Sequence, residues 1–309
     1  MRSARWRLLT DVRLLCCGAR RSRLPIPSGA TMSRSLQLIP ASSLGLAELA
    51  DLYTRSFADY FYDVSVTTEE LARRVPAELI DLDRSLLASV DGTIAGIALL
   101  CLEGEGACCG GFGVTVPFRG QGLATPLAMA MLDQARTAGA RRLTLVVMAE
   151  NERAVRSYAR AGMQIWRDLI TLAWQRPSGW IAPEPVEGIV ELPPVQLLEH
   201  AAALHACPAI WSRSAATLRR RTDLVGLALR DADQILAYAL YRPDGGSAIE
   251  LADLGALNGE AALALLQALQ AKYAHIVCGN EPVANPLIAS FQQAGFLQFR
   301  PRYEMLAEL

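Results

Sequence analysis

Between Val116-Pro117-Phe118 and an apolar helical stripe stands Arg119-Gly120-Gln121-Gly122-Leu123-Ala124, a bare turn whose glycines let a backbone approach a ligand with no side chain in the way. A turn of this kind at a helix start gathers amide N–H groups at the positive end of the helix dipole. That suits an anion, and a pyrophosphate above all. Residue types exclude two familiar phosphate loops. A Walker A loop ends in Gly-Lys-Ser/Thr, whereas Leu123-Ala124-Thr125 follow Gly122 here. A dinucleotide fingerprint needs a third glycine where Thr125 stands and an acid about 20 residues further on, and Glu150 lies too far along.

What remains is Arg-x-x-Gly-x-Ala on a strand-to-helix turn, formed by Arg119, Gly122 and Ala124. Downstream, Asn151, Ala154, Tyr158, Gly162 and the apolar Met163 follow the spacing N-x-x-A-x-x-x-Y-x-x-x-G-hydrophobe. With these paired motifs the sequence resembles the GNAT superfamily of acetyl-CoA-dependent N-acetyltransferases over roughly residues 36–176. The resemblance implies that the loop amides from Arg119 through Gly120, Gln121, Gly122 and Leu123 to Ala124 hold the CoA pyrophosphate, with Thr125 at its edge. It implies a strand that splays from its neighbour, leaving backbone groups of Val114 and Val116 to bond the pantetheine arm. The Val116 amide would polarise the thioester carbonyl, a fixed dipole meeting developing charge. Asn151 would bond the pantetheine or the helix start, and the Tyr158 hydroxyl would protonate the departing thiolate, since a phenol with pKa near ~10 stays protonated at neutral pH.

The reaction implied is acetyl transfer from acetyl-CoA, a co-substrate, to an amine by direct attack in a ternary complex. An acceptor amine must lose a proton before it attacks, so a carboxylate would help. Glu103 and Glu105 in a hairpin loop and Glu150 at a strand end are the candidates, and Glu150 is grouped with Tyr158 and Val116 as catalytic. The central Gly110-Gly111-Phe112-Gly113-Val114-Thr115-Val116 carries no acid. Plainer roles stand beside these: Tyr158 as a core aromatic, Asn151 as an N-cap, and Arg153, Arg156 and Arg160 as a solvated helix face. In the resembled family the first two helices shape the acceptor side, which makes Tyr53, Tyr60, Phe61, Tyr62, Asp59 and Asp63 candidate contacts. A non-catalytic acyl-CoA sensor or interaction module is the competing reading.

The elements that must position these residues follow from periodicity. Leu49, Tyr53, Phe57 and Tyr60 recur at helical spacing, and Thr-Thr-Glu-Glu at 67–70 opens a second helix with a capping pattern. Apolar runs on either side of Asp91-Gly92 read as a hairpin, and residues 103–110 as a second hairpin loop before a strand at 112–117. A helix over 123–138 buries Leu123, Leu127, Ala130 and Met131, and Leu143–Met148 reads as a strand covered on both faces. A helix from Asn151 stopped by Gly162 and a strand over 163–174 complete this half.

Residues 175–194 hold five prolines and two glycines, which neither a strand centre nor a helix interior tolerates. The organisation expected is therefore an Arg-rich extension (1–34), an N-acetyltransferase domain (35–176), a Pro-rich linker (177–194) and a second domain (195–309). That second part repeats the plan in faded form, which indicates duplication. Gly295-Phe296 stand where Gly162-Met163 stood, Phe291 replaces Tyr158, and the loop becomes Asp253-Leu254-Gly255-Ala256 with Glu260 following, acids that repel phosphate. The second copy is expected to be a structural partner covering the acceptor cleft or a sheet edge. The fold class is α/β: a mixed, mainly antiparallel sheet flanked by helices, as two GNAT-like folds in tandem.

Composition limits the remaining classes. Of 309 residues 52% are hydrophobic and 20% charged, a core-forming balance, and no run reaches the roughly 18 apolar residues of a membrane helix. Residues 1–34 hold eight arginines against Asp11 alone, which reads as a transit peptide or as sequence ahead of a start at Met32. The rest carries 22 basic and 30 acidic side chains, without the basic stripe of a nucleic-acid surface. Seven cysteines without a CxxC pair fit reduced thiols in a cytoplasmic chain, and His200, His205 and His275 lack partners at metal spacing. The expected partners are a small-molecule or peptide amine, with no nucleic acid, membrane or metal, and a monomeric or homodimeric state.

Overall fold

The computed structural model describes residues 35–309. The expectations for residues 1–34 lie outside the described residues.

The chain opens with β1 (Leu36–Pro40), α1 (Leu46–Ser56) and α2 (Thr68–Glu78), followed by a meander of β2 (Ile80–Val90), β3 (Thr93–Glu103) and β4 (Gly106–Val114). Then come α3 (Ala124–Thr137), β5 (Arg142–Met148), α4 (Glu152–Arg160) and β6 (Gln164–Gln175). Capping starts α2 as the sequence suggests: the Thr67 hydroxyl accepts from the Glu70 amide (3.1 Å) while the Glu70 carboxylate accepts from the Thr67 amide (2.8 Å). The β2–β3 turn places Asp91 and Gly92 at φ 50° and 80°, the paired positive values of a tight hairpin. Gly162, at φ 100°, ends α4.

The continuation holds β7 (Ile189–Glu191), three short helices α5 (Pro194–Leu197), α6 (Ala201–Leu204) and α7 (Ala215–Arg219), and β8 (Val225–Asp231). β9 (Gln234–Pro243), β10 (Ala248–Ala256), α8 (Gly259–Lys272), β11 (His275–Pro282), α9 (Ile288–Gln293) and β12 (Leu297–Glu308) then follow. From β8 to β12 the order of strands and helices is that of β2 to β6.

Among the described residues twelve strands join one sheet in the order β1-β2-β3-β4-β5-β12-β6-β11-β10-β9-β8-β7, and of these only β4–β5 and β10–β11 pair in parallel. The last strands of the two halves are exchanged: β12 pairs with β5 and β6, and β6 pairs with β12 and β11. Each half therefore completes its sheet with a strand from the other. Apolar cores fill both faces. Leu143, Leu145, Val147, Met305 and Ala307 pack with Leu127, Met131 and Tyr158 on the α3–α4 face. Leu87, Ile97 and Leu99 pack with Leu49, Leu52 and Tyr53 on the α1 face.

Several boundaries differ from the sequence reading. α1 stops at Ser56, so Phe57 and Tyr60 lie in the turn beyond it. β4 begins at Gly106 and ends at Val114, so residues read as a hairpin loop are strand and Val116 is not. Glycines in a strand look like loop, yet here they admit a neighbour: a Cβ on Gly111 would lie 2.4 Å from the Tyr53 ring, and one on Gly113 2.7 Å from Ser56 Cβ and 3.0 Å from the Ser56 carbonyl. β5 is not covered on both faces, since Val146 is 37% exposed. Within 177–194, the segment read as a linker, β7 pairs with β8.

The close approach of α1 to β4 makes Gly113→Ala informative. The added methyl meets backbone rather than a flexible side-chain tip, so overpacking should cost about 1–3 kcal/mol. A lowered denaturant midpoint with an unchanged m-value is the expected result, and a midpoint equal to the parent's would show that α1 yields freely.

Candidate functional site

The site begins where β4 and β5 part. Their parallel pairing covers only Gly106–Cys108 against Arg142–Thr144. β4 runs on to Val114 held by β3 alone. The Thr115 amide donates to the Ala95 carbonyl of β3 (2.8 Å), so strand alternation turns the backbone groups of Val114 and Phe112 the other way, into the gap. The Val114 carbonyl is already engaged there by Arg119 Nε at 2.9 Å, which leaves the amides of Phe112 and Val114 facing the opening.

At the end of β4 a single 3₁₀ turn (Val116–Phe118) leads into the glycine loop. Gly120 and Gly122 take φ 77° and 82°, and a Cβ on either would touch nothing within 4 Å. The loop reaches the N-terminus of α3, a fourteen-residue helix with no side-chain cap and no acid in its first turn. The positive helix end therefore keeps its attraction for an anion. Arg119 itself takes another part: Nη2 donates to the carbonyls of Ser56 (3.1 Å) and Ala58 (2.6 Å), which ties the loop to the end of α1.

A cleft of about 920 Å³ runs through the gap. Arg119, Gly120, Gly122, Leu123, Ala124 and Thr125 line one end, and Val114, Asn151 and Tyr158 line its middle. Gln121 lies outside that lining, its side-chain amide donating to the Pro117 carbonyl at 2.8 Å. Tyr158 is 6% exposed, its ring edge-on to Phe112 at 5.3 Å. Burial, reinforced by Cys109 and Tyr60, pushes its phenol well above the ordinary tyrosine range, so the hydroxyl keeps its proton at neutral pH. Asn151 caps α4 by accepting from the Ala154 amide at 3.2 Å.

The far wall is aromatic. Tyr53, Phe57, Tyr60, Phe61 and Tyr62 line it, with Tyr53–Phe57 at 4.7 Å and Tyr60–Phe61 at 5.0 Å between ring centres. Burial raises the Tyr60 phenol, with Tyr62 adding to the shift and Asn151 and Arg302 opposing it. Asp59 lies in the lining but Asp63 does not; its carboxylate caps the next turn through the Ser65 amide at 2.9 Å, which also lowers its pKa.

Two residues grouped as catalytic from sequence are not brought in. Val116 sits in the 3₁₀ turn, 44% exposed and off the lining, so Phe112 and Val114 supply the amides that face the gap. Glu150 is exposed and points no oxygen into the cleft lining, while Glu103 pairs with Arg220 (2.7 Å) and Glu105 with Arg141 (2.8 Å). In their place stand residues the sequence reading missed: Trp211, Asn280, Arg302 and Glu304 line the cleft from the second half. Arg302 and Glu304 arrive there because β12 lies beside β5. Arg302 and Glu304 stand two residues apart and so share one face of the strand, but the sequence does not say which strand they join.

The second half has a matching gap with a different content. β10 and β11 pair only at Ala248–Glu250 against His275–Val277. Beyond that Arg213, 8% exposed, bridges them, with Nε donating to the Ala252 carbonyl (2.9 Å) and Nη1 to the Gly279 carbonyl (3.2 Å) and the Glu281 carboxylate. Asp253, on the same strand, lies 3.5 Å from Arg213 Nη2. Phe291 is buried in apolar core. Among the described residues no group of side chains is arranged to hold a metal ion, and no helix is long and apolar enough to cross a membrane.

Comparison with known proteins agrees with this architecture. Residues 46–163 match the model of the acetyltransferase (GNAT) family, a stretch that contains the glycine loop, Asn151 and Tyr158. No curated protein sequence matches the chain. Among solved structures, a GCN5-related N-acetyltransferase from Sphaerobacter thermophilus superposes with a TM-score of 0.64 at 19% identity, over 88% of this chain and 95% of that one. A putative acetyltransferase from Pyrococcus horikoshii gives 0.60 at 14% identity, over 93% and 94%. A tandem GNAT protein from the clavulanic acid biosynthesis pathway gives 0.61 at 13% identity, over 89% and 98%. At such identities the likeness is one of fold: a mixed α/β sheet, mainly antiparallel and flanked by helices, of the kind found in GNAT proteins, with residues 46–163 carrying the sequence pattern of the acetyltransferase family.

The filled gap of the second half yields a stability test. Arg213→Met leaves Glu281 a buried acid without its cation, while Asp253 keeps His205 (3.1 Å) and Tyr238 (2.7 Å), and removing one partner of a buried pair costs about 3–5 kcal/mol. A loss of that size in denaturant titration is expected; a loss below about 1 kcal/mol, the level of an exposed pair, would mean the guanidinium does not hold the strands.

Proposed function

We propose that this chain is an acetyl-CoA-dependent N-acetyltransferase in which the first half alone binds acetyl-CoA. The observation that carries the reading is the parting of β4 from β5 directly beside a glycine loop at a bare helix N-terminus, with a buried phenol on the same cleft. The loop from Arg119 to Ala124 fits a pyrophosphate, and the unpaired backbone of β4 fits an amide-bearing arm laid along it as an extra strand. Acetyl-CoA supplies an activated acetyl group at the end of such an arm. The Phe112 and Val114 amides are the donors available to a thioester carbonyl, taking the part assigned from sequence to Val116. Asn151 fixes the start of α4 and so the height of Tyr158, whose hydroxyl delivers a proton to the leaving sulfur. The acceptor amine attacks directly in a ternary complex, entering past the aromatic wall.

In this reading the N-acetyltransferase domain comprises residues 35–176, the segment 177–194 joins the halves, and 195–309 is a duplicated copy that has lost its own site. Support comes from the shared element order and from Arg213 occupying the second gap. Two cavities of one plan thus have different fates.

Thermal stabilisation by acetyl-CoA, longer acyl-CoAs, NAD and ATP, side by side, tests the ligand; acetyl-CoA alone or with other acyl-CoAs should raise the melting temperature, and stabilisation by NAD or ATP instead would refute the reading. For the chemistry, Tyr158→Phe should lower kcat by about 100-fold, the low end of general acid–base contributions, with acetyl-CoA affinity unchanged. Parental turnover in this variant at saturating amine would remove Tyr158 from the mechanism. Acetyl-CoA binding without CoA release across a broad panel of amines would favour a sensor.

A further inference from the structure

Glu304 is a carboxylate in an unusual position. It lies on β12, where the exchanged strand sets it opposite Val146 of β5 and Arg167 of β6. Residues directly opposite in an antiparallel pair project to the same face. Leu143, Leu145 and Val147 turn to the α3–α4 core together with Met305 and Ala307, so Val146 and Glu304 turn to the α1–α2 face, where the aromatic wall stands. Tyr158 belongs to the opposite core and reaches the gap from the other side. The cleft therefore meets a phenol on one face of the sheet and a carboxylate on the other.

Glu304 is 2% exposed, and its Oε2 accepts from Arg167 Nε at 2.6 Å. Among the described residues its Oε1 accepts no hydrogen bond, so one oxygen is left for the cleft it lines. The charged groups around it are Arg167 on β6, Arg142 on β5 and Arg302 two residues earlier on β12, with Arg74 and Glu78 of α2 across the cleft. Burial raises its carboxyl pKa above the usual range, and the arginines only partly offset this. A carboxyl so placed is a better proton acceptor than an exposed one. The aromatic lining contributed by Tyr60, Phe61, Tyr62 and Trp211 suits an amine carried on a flat apolar body.

We infer that Glu304 is the base that takes the proton from an aromatic-bodied primary amine as it attacks, a role that rests on the acetyl-transfer reading above. The balance is complete: the neutral amine bonds through its nitrogen to the acetyl carbon and gives one proton to Glu304, the carbon–sulfur bond breaks and the sulfur takes one proton from Tyr158, and exchange with water in the cleft then takes the proton from Glu304 and returns one to Tyr158. Base and acid act from opposite faces of one sheet, and neither half of the chain holds both.

The test uses the full chain with acetyl-CoA and two probe amines, phenethylamine and tryptamine, reading free thiol. Glu304→Gln should bind acetyl-CoA as the parent does, lose about 100-fold in kcat/KM for the amine, and lose the acid limb of the pH–rate profile. Because this variant also breaks the pair with Arg167, Arg167→Gln serves as its control. It should keep turnover at alkaline pH and move the acid limb to higher pH, since removing the cation makes the carboxyl easier to protonate. Independently of turnover, carboxyl-carbon NMR of the glutamate-labelled chain should show one group titrating above ordinary glutamates, absent in Glu304→Gln. Glu304→Gln with the parental rate and acid limb overturns the proposal, as does Arg167→Gln losing as much as Glu304→Gln, which would make the pair merely structural. A parent that binds acetyl-CoA yet releases no thiol with either amine overturns the aromatic acceptor side. A parent that fails to bind acetyl-CoA overturns the transferase reading itself.

Discussion

The structure depends on one departure from sheet regularity, the parting of β4 from β5 after three residue pairs. Backbone N–H and C=O groups left unpaired within a sheet carry a free-energy cost unless something else bonds them. The chain holds the parting open from both sides. Gly111 and Gly113 let α1 press onto β4 closer than any side chain would allow, and Arg119 ties the outgoing loop back to the Ser56 and Ala58 carbonyls at the end of that helix. An arginine spent on neutral carbonyls is an expensive choice unless the geometry it fixes is used. What it fixes is the relation between the glycine loop and the unpaired edge of β4.

The exchange of β6 and β12 is the second constraint. Had β6 paired directly with β5, residues 165–169 would line the cleft beside Val146 and Met148. Instead β12 lies there, and Arg302 and Glu304 come with it. Arg302 is fixed from several directions: its guanidinium donates to the Asn280 side chain and to the Tyr62 hydroxyl (3.2 Å), so β11, β12 and the loop after α1 converge on one cation. The Glu304–Arg167 pair, largely removed from water, adds less to stability than to register, because a slip of one residue along β12 would carry Glu304 and Arg302 to the opposite, apolar face.

Those two constraints explain what could be read from the sequence. The loop, the α4 motif and the order of elements are local: glycine torsions, capping residues and apolar periodicity act within a few residues, so Gly120, Gly122, Asn151 and Tyr158 were legible, as were α3, α4 and the Asp91-Gly92 hairpin. The extent of β4 was not, because Gly111 and Gly113 are there for the sake of α1, a partner more than fifty residues away in the chain, and Gly110 for the Cys101 thiol of β3. The resemblance implied the donor's part for Val116 on a strand read to 117, three residues past its end at Val114. Glu304 was out of reach altogether. Nothing between 297 and 308 says which strands β12 will join, and the base was sought near the loop, whereas Glu304 reaches the cleft from far along the chain.

The segment carrying Arg213 links the two gaps. Arg213 enters the second one, bonding β10 on one side and β11 on the other, while its neighbours Ile210, Trp211 and Ser212 line the first. Trp211 also donates its indole N–H to the Glu78 carbonyl at the end of α2 (3.0 Å), and Arg220, just beyond α7, donates to the Ala77 carbonyl (3.0 Å). The same short stretch thus closes a cavity in one half and walls a cavity in the other. A guanidinium satisfied by two carbonyls and Glu281 cannot leave without unpairing all of them, so the position of Trp211 over the aromatic side is set by the interior of the other half. Filling the second gap is in this sense part of how the first is built: the second half supplies the anchor from which a wall of the first cleft hangs.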